Sequence, residues 1–385
     1  MLGSIFFFFW NSVPFAGQIT VAWNASSGST VGGYKLYYRQ IGRSYSVIDI
    51  GYQTSFTLLG LQDGRAFCIA ATAYNVARTL ESGFSNEVCK QLPPALQDIN
   101  GDGRADLAGV NSAGYIYYST NLKNWTRISG TLVRVVSGDF DGDGRADLAG
   151  VNSAGNIYYT LTLGPWTNIP GQLSQLVAGD FDGDGRADLA GVNSAGNIYY
   201  TLTLGPWTNI PGQLSQLVAG DFDGDGRADL AGVNSAGYIY YSTNLRSWTN
   251  IPGRLVQVAV GDLNGDGRAD LAGVNSAGYI YYSTNLRSWT NIPGRLVQVA
   301  VGDLNGDGRA DLAGVNSAGY IYYSTNLKNW TRIPGFLSQI NVRDINGDGR
   351  FDIAGVNNAG YIYYTTNLST WINIPGQLTV LDGDL

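Results

Sequence analysis

The stretch Asp262-Leu-Asn-Gly-Asp-Gly-Arg-Ala-Asp270 decides how the chain is read. Three aspartates and two glycines within nine residues are turn chemistry, not the inside of a strand or helix. The residues before it, Leu255-Val-Gln-Val-Ala-Val-Gly261, and after it, Leu271-Ala-Gly-Val274, read as strands. A turn at Asn275-Ser-Ala-Gly278 leads to a third strand, Tyr279-Ile-Tyr-Tyr282. A fourth follows at Trp289-Thr-Asn-Ile292, and Pro293-Gly294 closes the unit.

The same loop begins at Asp98, Asp139, Asp180, Asp221, Asp262, Asp303 and Asp344, always 41 residues apart. Four short strands per period of that length match a β-propeller blade, which runs to about 40–50 residues. A single four-stranded unit cannot bury both its faces, so it must stack on neighbours. Helical patterning is absent. The expected fold is all-β, with a seven-bladed β-propeller over residues 93–385.

The ends of that region bear on closure. Pro93-Pro94 occupies the place of an inner strand before the first loop, and proline is a poor strand-interior residue. Gln377-Leu-Thr-Val-Leu-Asp-Gly-Asp-Leu385 repeats the inner-strand pattern of Gln213-Leu-Ser-Gln-Leu-Val-Ala-Gly-Asp221. The preferred expectation is that this strand completes unit one and shuts the ring. The alternative is that it completes a neighbouring molecule, giving a strand-donated polymer.

Oxygen ligands at alternating positions, with glycines permitting a sharp turn, are what a hard cation with six to eight ligands needs. The first ligand position falls on the seven aspartates that open the loops. The third falls on Asn100, Asp141, Asp182, Asp223, Asn264, Asn305 and Asn346, and the fifth on Asp102, Asp143, Asp184, Asp225, Asp266, Asp307 and Asp348. The main-chain carbonyls of Arg104, Arg145, Arg186, Arg227, Arg268, Arg309 and Arg350 come next. Asp106, Asp147, Asp188, Asp229, Asp270, Asp311 and Asp352 complete the sets. Loops one, five, six and seven hold three acids each and loops two, three and four hold four, which places 24 of the chain's 30 acids in the loops. Without a cation so many carboxylates would repel. Solvated Asp-Gly turns are the plain alternative, and they leave the fixed positions unexplained. The set is irregular and carboxylate-rich, which favours Ca2+ over Mg2+, about one per repeat and up to seven. Seven such ions would move the nominal charge from −7 to +7.

On these loops the chain resembles FG-GAP/VCBS-type repeats, the calcium-loop blades of integrin α-subunit propellers and propeller lectins. The resemblance covers all seven units. It implies calcium in each loop as a structural staple, and it leaves function open among adhesion, glycan binding and scaffolding.

Residues 18–92 read as a separate β-domain, with strand patterns at Ile19–Trp23, Tyr34–Tyr38, Ser55–Leu59 and Phe67–Ala71. Their order resembles a fibronectin type III domain. Trp23 stands at its early core tryptophan, Gly60-Leu61 and Phe67 at the approach to its sixth strand, and Ala73-Tyr-Asn75 with Ser82–Val88 at its last hairpin. Phe67 replaces the family's usual tyrosine, so the corner hydrogen bond is absent or made differently. The resemblance implies that Cys68 and Cys89 lie on adjacent strands and form a disulfide in an oxidising compartment; two buried free thiols are the alternative.

Residues 1–17 carry an apolar run, Leu2 to Trp10, followed by Ala16 and Gly17. It resembles the core and cleavage region of a secretory signal and is too short to span a bilayer as a helix, although no Lys or Arg precedes it. A retained strand or an assembly contact is the competing reading. The expected location is secreted or at the cell surface.

Composition excludes several functions. The chain has no histidine, so Ser-His-Asp and Cys-His catalysis are out, and two cysteines cannot hold a four-cysteine metal site. A net charge of −7 gives no basis for gripping a phosphate backbone. Tyr238 to Gly278 recurs as Tyr279 to Gly319, and catalysis needs one asymmetric constellation where multivalent binding tolerates copies. No enzymatic activity is expected. One tryptophan per unit (Trp125, Trp166, Trp207, Trp248, Trp289, Trp330, Trp371) could stack on sugar C–H faces in clefts between blades, or simply pack between them. Asn111, Asn152, Asn193, Asn234, Asn275 and Asn316, with Asn121, Asn244 and Asn285, are candidate polar partners or ordinary turn residues. The expected function is multivalent extracellular binding, foremost of glycans. A structural subunit of a self-assembling surface filament or sheath is the alternative.

Overall fold

The computed structural model describes residues 7–8, 19–24, 31–40, 43–58, 66–91, 97–161 and 163–382. The chain divides into two compact units, Met1–Pro94 and Ala95–Leu385. Pro93-Pro94, Gly60-Leu61 and most of the Leu2–Trp10 run lie outside the described residues.

Among the described residues the first unit has seven strands: β1 (Phe7–Phe8), β2 (Ile19–Trp23), β3 (Val31–Gln40), β4 (Ser46–Gly51), β5 (Ser55–Leu58), β6 (Ala66–Asn75) and β7 (Val88–Gln91). They form one sheet in the order β1-β2-β5 and another in the order β4-β3-β6-β7. Period-two alternation turns Ile19, Val21 and Trp23 inward from one sheet and Tyr34, Leu36, Ile69, Ala71 and Ala73 inward from the other, so a single apolar core lies between them. Trp23 sits edge-on to Tyr34 at 5.6 Å. Phe67 is buried in this core. Cys68 and Cys89 face each other across β6 and β7 and are joined as a disulfide. Phe7 and Phe8 pair with Trp23 and Ala22.

The second unit repeats one sheet seven times. Its first three strands are β8 (Leu107–Val110), β9 (Tyr115–Ser119) and β10 (Thr126–Thr131). The next sheet is an antiparallel meander of β11 (Arg134–Gly138), β12 (Asp147–Val151), β13 (Asn156–Thr160) and β14 (Thr167–Gln172). The same order recurs over 175–213, 216–254, 257–292, 298–336 and 339–377. Second strands such as Asp147–Val151 are buried along their whole length, because both faces of the sheet pack on neighbours. Leu148 belongs to the apolar cluster shared with the sheet before, Ala149 and Val151 to the one shared with the sheet after.

The outermost strands differ from the sequence reading. They start at the threonine or isoleucine after each tryptophan and in six sheets run on through the Pro-Gly or Ser-Gly pair, as in Thr249–Arg254, with a bulge at Tyr238/Ile239. An edge strand tolerates proline because its outward N–H side has no ladder partner to lose. The inner strand starts at Gln257 rather than Leu255, whose N–H is already bonded to Gly237 O in the connection between sheets.

Hydrogen bonds run from sheet to sheet. Ala146 N–H donates to Asp98 O at 2.7 Å, and the equivalent bond repeats down the chain to Phe351 N–H on Asp303 O. Ala105 N–H donates to Asp344 O at 2.8 Å, so the first and last repeats are neighbours. The two-residue strand Val380–Leu381 pairs with β8 and completes the first sheet within the same molecule. Five sheets end their inner strand in glycine (Gly138, Gly179, Gly220, Gly261, Gly302); the last ends in Arg343. Arg343 is buried against an equally buried Asp382. Its Nη1 donates to Asp382 Oδ1 and to Asp106 O, both at 2.9 Å. Ser137 Oγ donates to the other carboxylate oxygen at 2.8 Å.

Candidate cation loops and inter-sheet clefts

Six of the nine-residue loops join the first two strands of a sheet, and the first leads into β8, whose inner partner comes from the far end of the chain. In loop two, Gly142 and Gly144 take φ of +78° and +91°, conformations that cost other residues energy. They turn main-chain amides inward. Asp139 Oδ1 accepts from Gly142 and Asp143 N–H, and Oδ2 accepts from Gly144 N–H. Asp147 Oδ2 accepts from Phe140 N–H at 3.0 Å. The opening and closing aspartates therefore organise the loop through its own amides, and this gives their fixed spacing a reason that the sequence reading lacked.

The structure gathers part of each expected ligand set. Carboxylate oxygens of Asp139, Asp141 and Asp147 lie within 4.8 Å of one another, as do those of Asp180, Asp182 and Asp188 and those of Asp221, Asp223 and Asp225. Asp143, Asp184 and Asp229 fall outside these groups. Where the third position is asparagine, its Nδ2 donates to the fifth-position carboxylate, as Asn264 does to Asp266 at 3.0 Å and Asn100, Asn305 and Asn346 do in their loops. The Asn oxygen meanwhile accepts the backbone N–H two residues on. The arginine side chains lie over the preceding loop: Arg145 at Gly101, Arg227 at Gly183, Arg268 at Gly224, Arg309 at Gly265, Arg350 at Gly306 and Arg104 at Gly347.

Burial, reinforced by neighbouring carboxylates, pushes the Asp147 and Asp188 carboxyls up to about 8. Asp106, Asp229, Asp270, Asp311 and Asp352 rise to about 7 for the same reason. Burial also raises Asp139, Asp180, Asp221 and Asp344, against the pull of their loop amides. Such a donor set, all hard oxygen and richest in carboxylates in loops two to four, fits a hard divalent cation best there.

The tryptophans stand between sheets. Each indole packs against a glycine in, or for Gly294 just after, the outermost strand of the preceding sheet: Trp166 on Gly130, Trp207 on Gly171, Trp248 on Gly212, Trp289 on Gly253, Trp330 on Gly294, Trp371 on Gly335 and Trp125 on Gly376. A Cβ on Gly376 would come within 3.1 Å of the Trp125 ring. Trp166 Nε1 donates to Ser129 O and Trp371 Nε1 to Pro334 O. Packing is thus their first role, and all seven are partly buried, with a minor share of each ring exposed. Between the last and first sheets, Trp125, Tyr117 and Lys123 face Tyr361 and Pro375–Leu378 across a cleft of about 720 Å³. Of the two readings of the turn asparagines, the structure shows the turn role. Asn111 Oδ1 accepts from Ala113 and Tyr115 N–H, and Asn244 Oδ1 from Arg246 and Ser247 N–H, with the same pattern at their counterparts.

A tectonin-domain profile matches residues 73–225, 183–265 and 264–383. The chain belongs to the tectonin family. Tectonin domains are β-propeller, lectin-like repeats. No curated protein matches the sequence. Among solved structures, BBS1N in its complex with ARL6DN is similar over 74% of this chain and 93% of its own, at 12% identity and a TM-score of 0.54, which establishes the β-propeller fold and nothing further. The WD40 β-propeller domain of Doa1 aligns over 70% of this chain and 88% of its own at 13% identity and a TM-score of 0.44. The family match is to tectonin; likeness to FG-GAP/VCBS repeats rests on the loop motif alone.

Proposed function

We propose that the chain is a multivalent, lectin-like binding protein that acts outside the cell, with glycans as its ligands. The tectonin repeats form a seven-bladed propeller, and the residues before them in the chain form a fibronectin type III-like module. Seven four-stranded sheets and the three-plus-four strand order of the first unit support that architecture. The observation that carries the function is the cleft between the last and first sheets. Trp125 and Tyr361 offer ring faces for sugar C–H groups, and Lys123, Asn124 and Gln377 offer polar partners. Its volume is in the range of about 300–1,000 Å³ usual for small-ligand sites. Repetition of Trp-on-Gly junctions would supply several weak sites and hence avidity.

Calcium in the loops is part of this reading. The chain's own residues would hold it with the carboxylates of Asp139, Asp141 and Asp147 and their counterparts, and the ion would supply positive charge that steadies the loops. An enzymatic role is not part of this reading, because near-identical repeats suit multivalent binding better than one asymmetric catalytic constellation. Export agrees with the Cys68–Cys89 disulfide and with the apolar Leu2–Trp10 stretch. The test is a glycan array probed with intact chain, with calcium and with chelator. Binding to defined glycans that fails in Trp125→Ala while the fold persists would support the reading; no glycan bound under either condition would refute it.

A further inference from the structure

Within Ala95–Leu385 every carboxylate belongs to a nine-residue loop or to the C-terminal Asp382 and Asp384. The Asn-Ser-Ala-Gly turns join the second and third strands and so sit at the opposite end of each sheet from the loops. That end carries no acid. It carries tyrosines that follow each turn, and arginines laid on them.

Two such pairs are adjacent and alike. Arg254 lies 4.5 Å from the Tyr238 ring centre and its Nη2 donates to the phenol oxygen at 2.6 Å. Arg295 repeats this on Tyr279 at 4.6 Å and 2.8 Å. Both tyrosines are 40% exposed, and Val256 and Val297 beside them are more than half exposed. No carboxylate pairs with either arginine among the described residues. Arg127 on Tyr115 and Arg332 on Tyr320 extend the pattern to two further sheets. Asn156 and Asn197 replace the tyrosine in sheets two and three, and Gln172 and Gln213 face them. The surface is therefore a crescent and not a full circle.

We propose that Arg254–Tyr238 and Arg295–Tyr279 form a subsite for carboxylated glycans, chains bearing uronic acids. This rests on the glycan-binding reading and names its ligand class. A guanidinium stacked on a ring keeps its in-plane donors at its edge, where they match the two oxygens of a carboxylate. Exposed tyrosine and valine faces suit the C–H faces of a pyranose. Four arginines in a chain of net charge −7 are too few for a nucleic-acid surface, which needs a continuous basic stripe. Stacking against tyrosine also holds each guanidinium in place before the ligand arrives, so less side-chain entropy is lost on binding.

The test measures the intact chain, in calcium, against an octasaccharide of alternating glucuronate and N-acetylglucosamine and against the same sugar with its carboxylates reduced to alcohols. The acid form is expected to bind at least about tenfold more tightly than the reduced form. Arg254→Gln with Arg295→Gln should abolish that preference and leave affinity for the reduced form unchanged, with an unaltered melting temperature as the folding control. Arg254→Lys with Arg295→Lys should recover part of it, because charge returns without the fork. Equal binding of acid and reduced forms by the unaltered chain would overturn the proposal while leaving the Trp125 cleft reading intact. So would tighter binding of a sulfated octasaccharide, or equal binding of a DNA duplex that the Gln variant also weakens. Failure to bind any glycan would sink both.

Discussion

Five junctions between neighbouring sheets are built on glycine, and the one between the last and the first is built on a buried ion pair. At Gly220 an added Cβ would lie 2.8 Å from Val260 Cγ2 and 3.0 Å from Ala269 Cβ, so the ordinary junction is closed by close approach. At the seam Arg343 reaches into the same region and meets Asp382, which occupies the place that Val218 holds in its own strand. Apolar junctions between near-identical repeats are interchangeable: nothing in them tells the closing strand which sheet to join. A buried guanidinium needs a counter-charge that no apolar junction offers, and Asp382 supplies it here, so together they mark one register. Fixing register is the best-attested use of such pairs, whose net contribution to stability is often small.

The largest effect should come from breaking the seam on one side. Asp382→Ala leaves Arg343 buried without its counter-ion and should lower unfolding free energy by about 3–5 kcal/mol, read from the denaturant midpoint. Restoring the ordinary chemistry with Arg343→Gly and Asp382→Val should recover most of that stability but produce oligomers by light scattering, because the closing strand has lost its address. A double variant that stays strictly monomeric would show that the pair does not set register.

Next in size is a change at an ordinary junction. Gly220→Ala should cost about 1–3 kcal/mol through overpacking against Val260 and Ala269. A neutral result in thermal unfolding would mean that this junction is looser than its geometry implies.

The smallest effect concerns the loops, where charges are alike instead of paired. Asp147, at about 8, binds its proton more tightly folded than unfolded, where a carboxyl titrates near about 4. That proton-linked stability is complete below the unfolded value and is lost as pH rises through about 8. Without calcium, Asp147→Asn should therefore stabilise by about 1 kcal/mol at pH 8 and less at pH 5, since the amide oxygen can still accept from Phe140 N–H. With calcium the sign should reverse, and titration calorimetry should count one site fewer. If the variant is equally destabilising with and without calcium, the carboxylate matters only for loop hydrogen bonds.

Much of this was legible in the chain. The 41-residue period, the loop positions and the four strands per repeat follow from local chemistry, and local chemistry repeats whenever its residues do. The capping asparagines were legible only as alternatives, because an Asx turn and an exposed amide have the same sequence. Arg343 carries a signal in the sequence: it stands where five repeats have glycine, and Asp382 stands where a repeat has valine. Their pairing spans 39 residues and became visible only with the last strand docked.

The sequence by itself determined the repeating unit, because turn and strand preferences act over a few residues. Tertiary structure alone decided that each tryptophan rests on a glycine of the sheet before it, that the arginines lie on tyrosines at the acid-free end, and that the final strand returns to β8. Those outcomes depend on which surfaces meet across a sheet-to-sheet gap, and spacing along a chain does not carry that information.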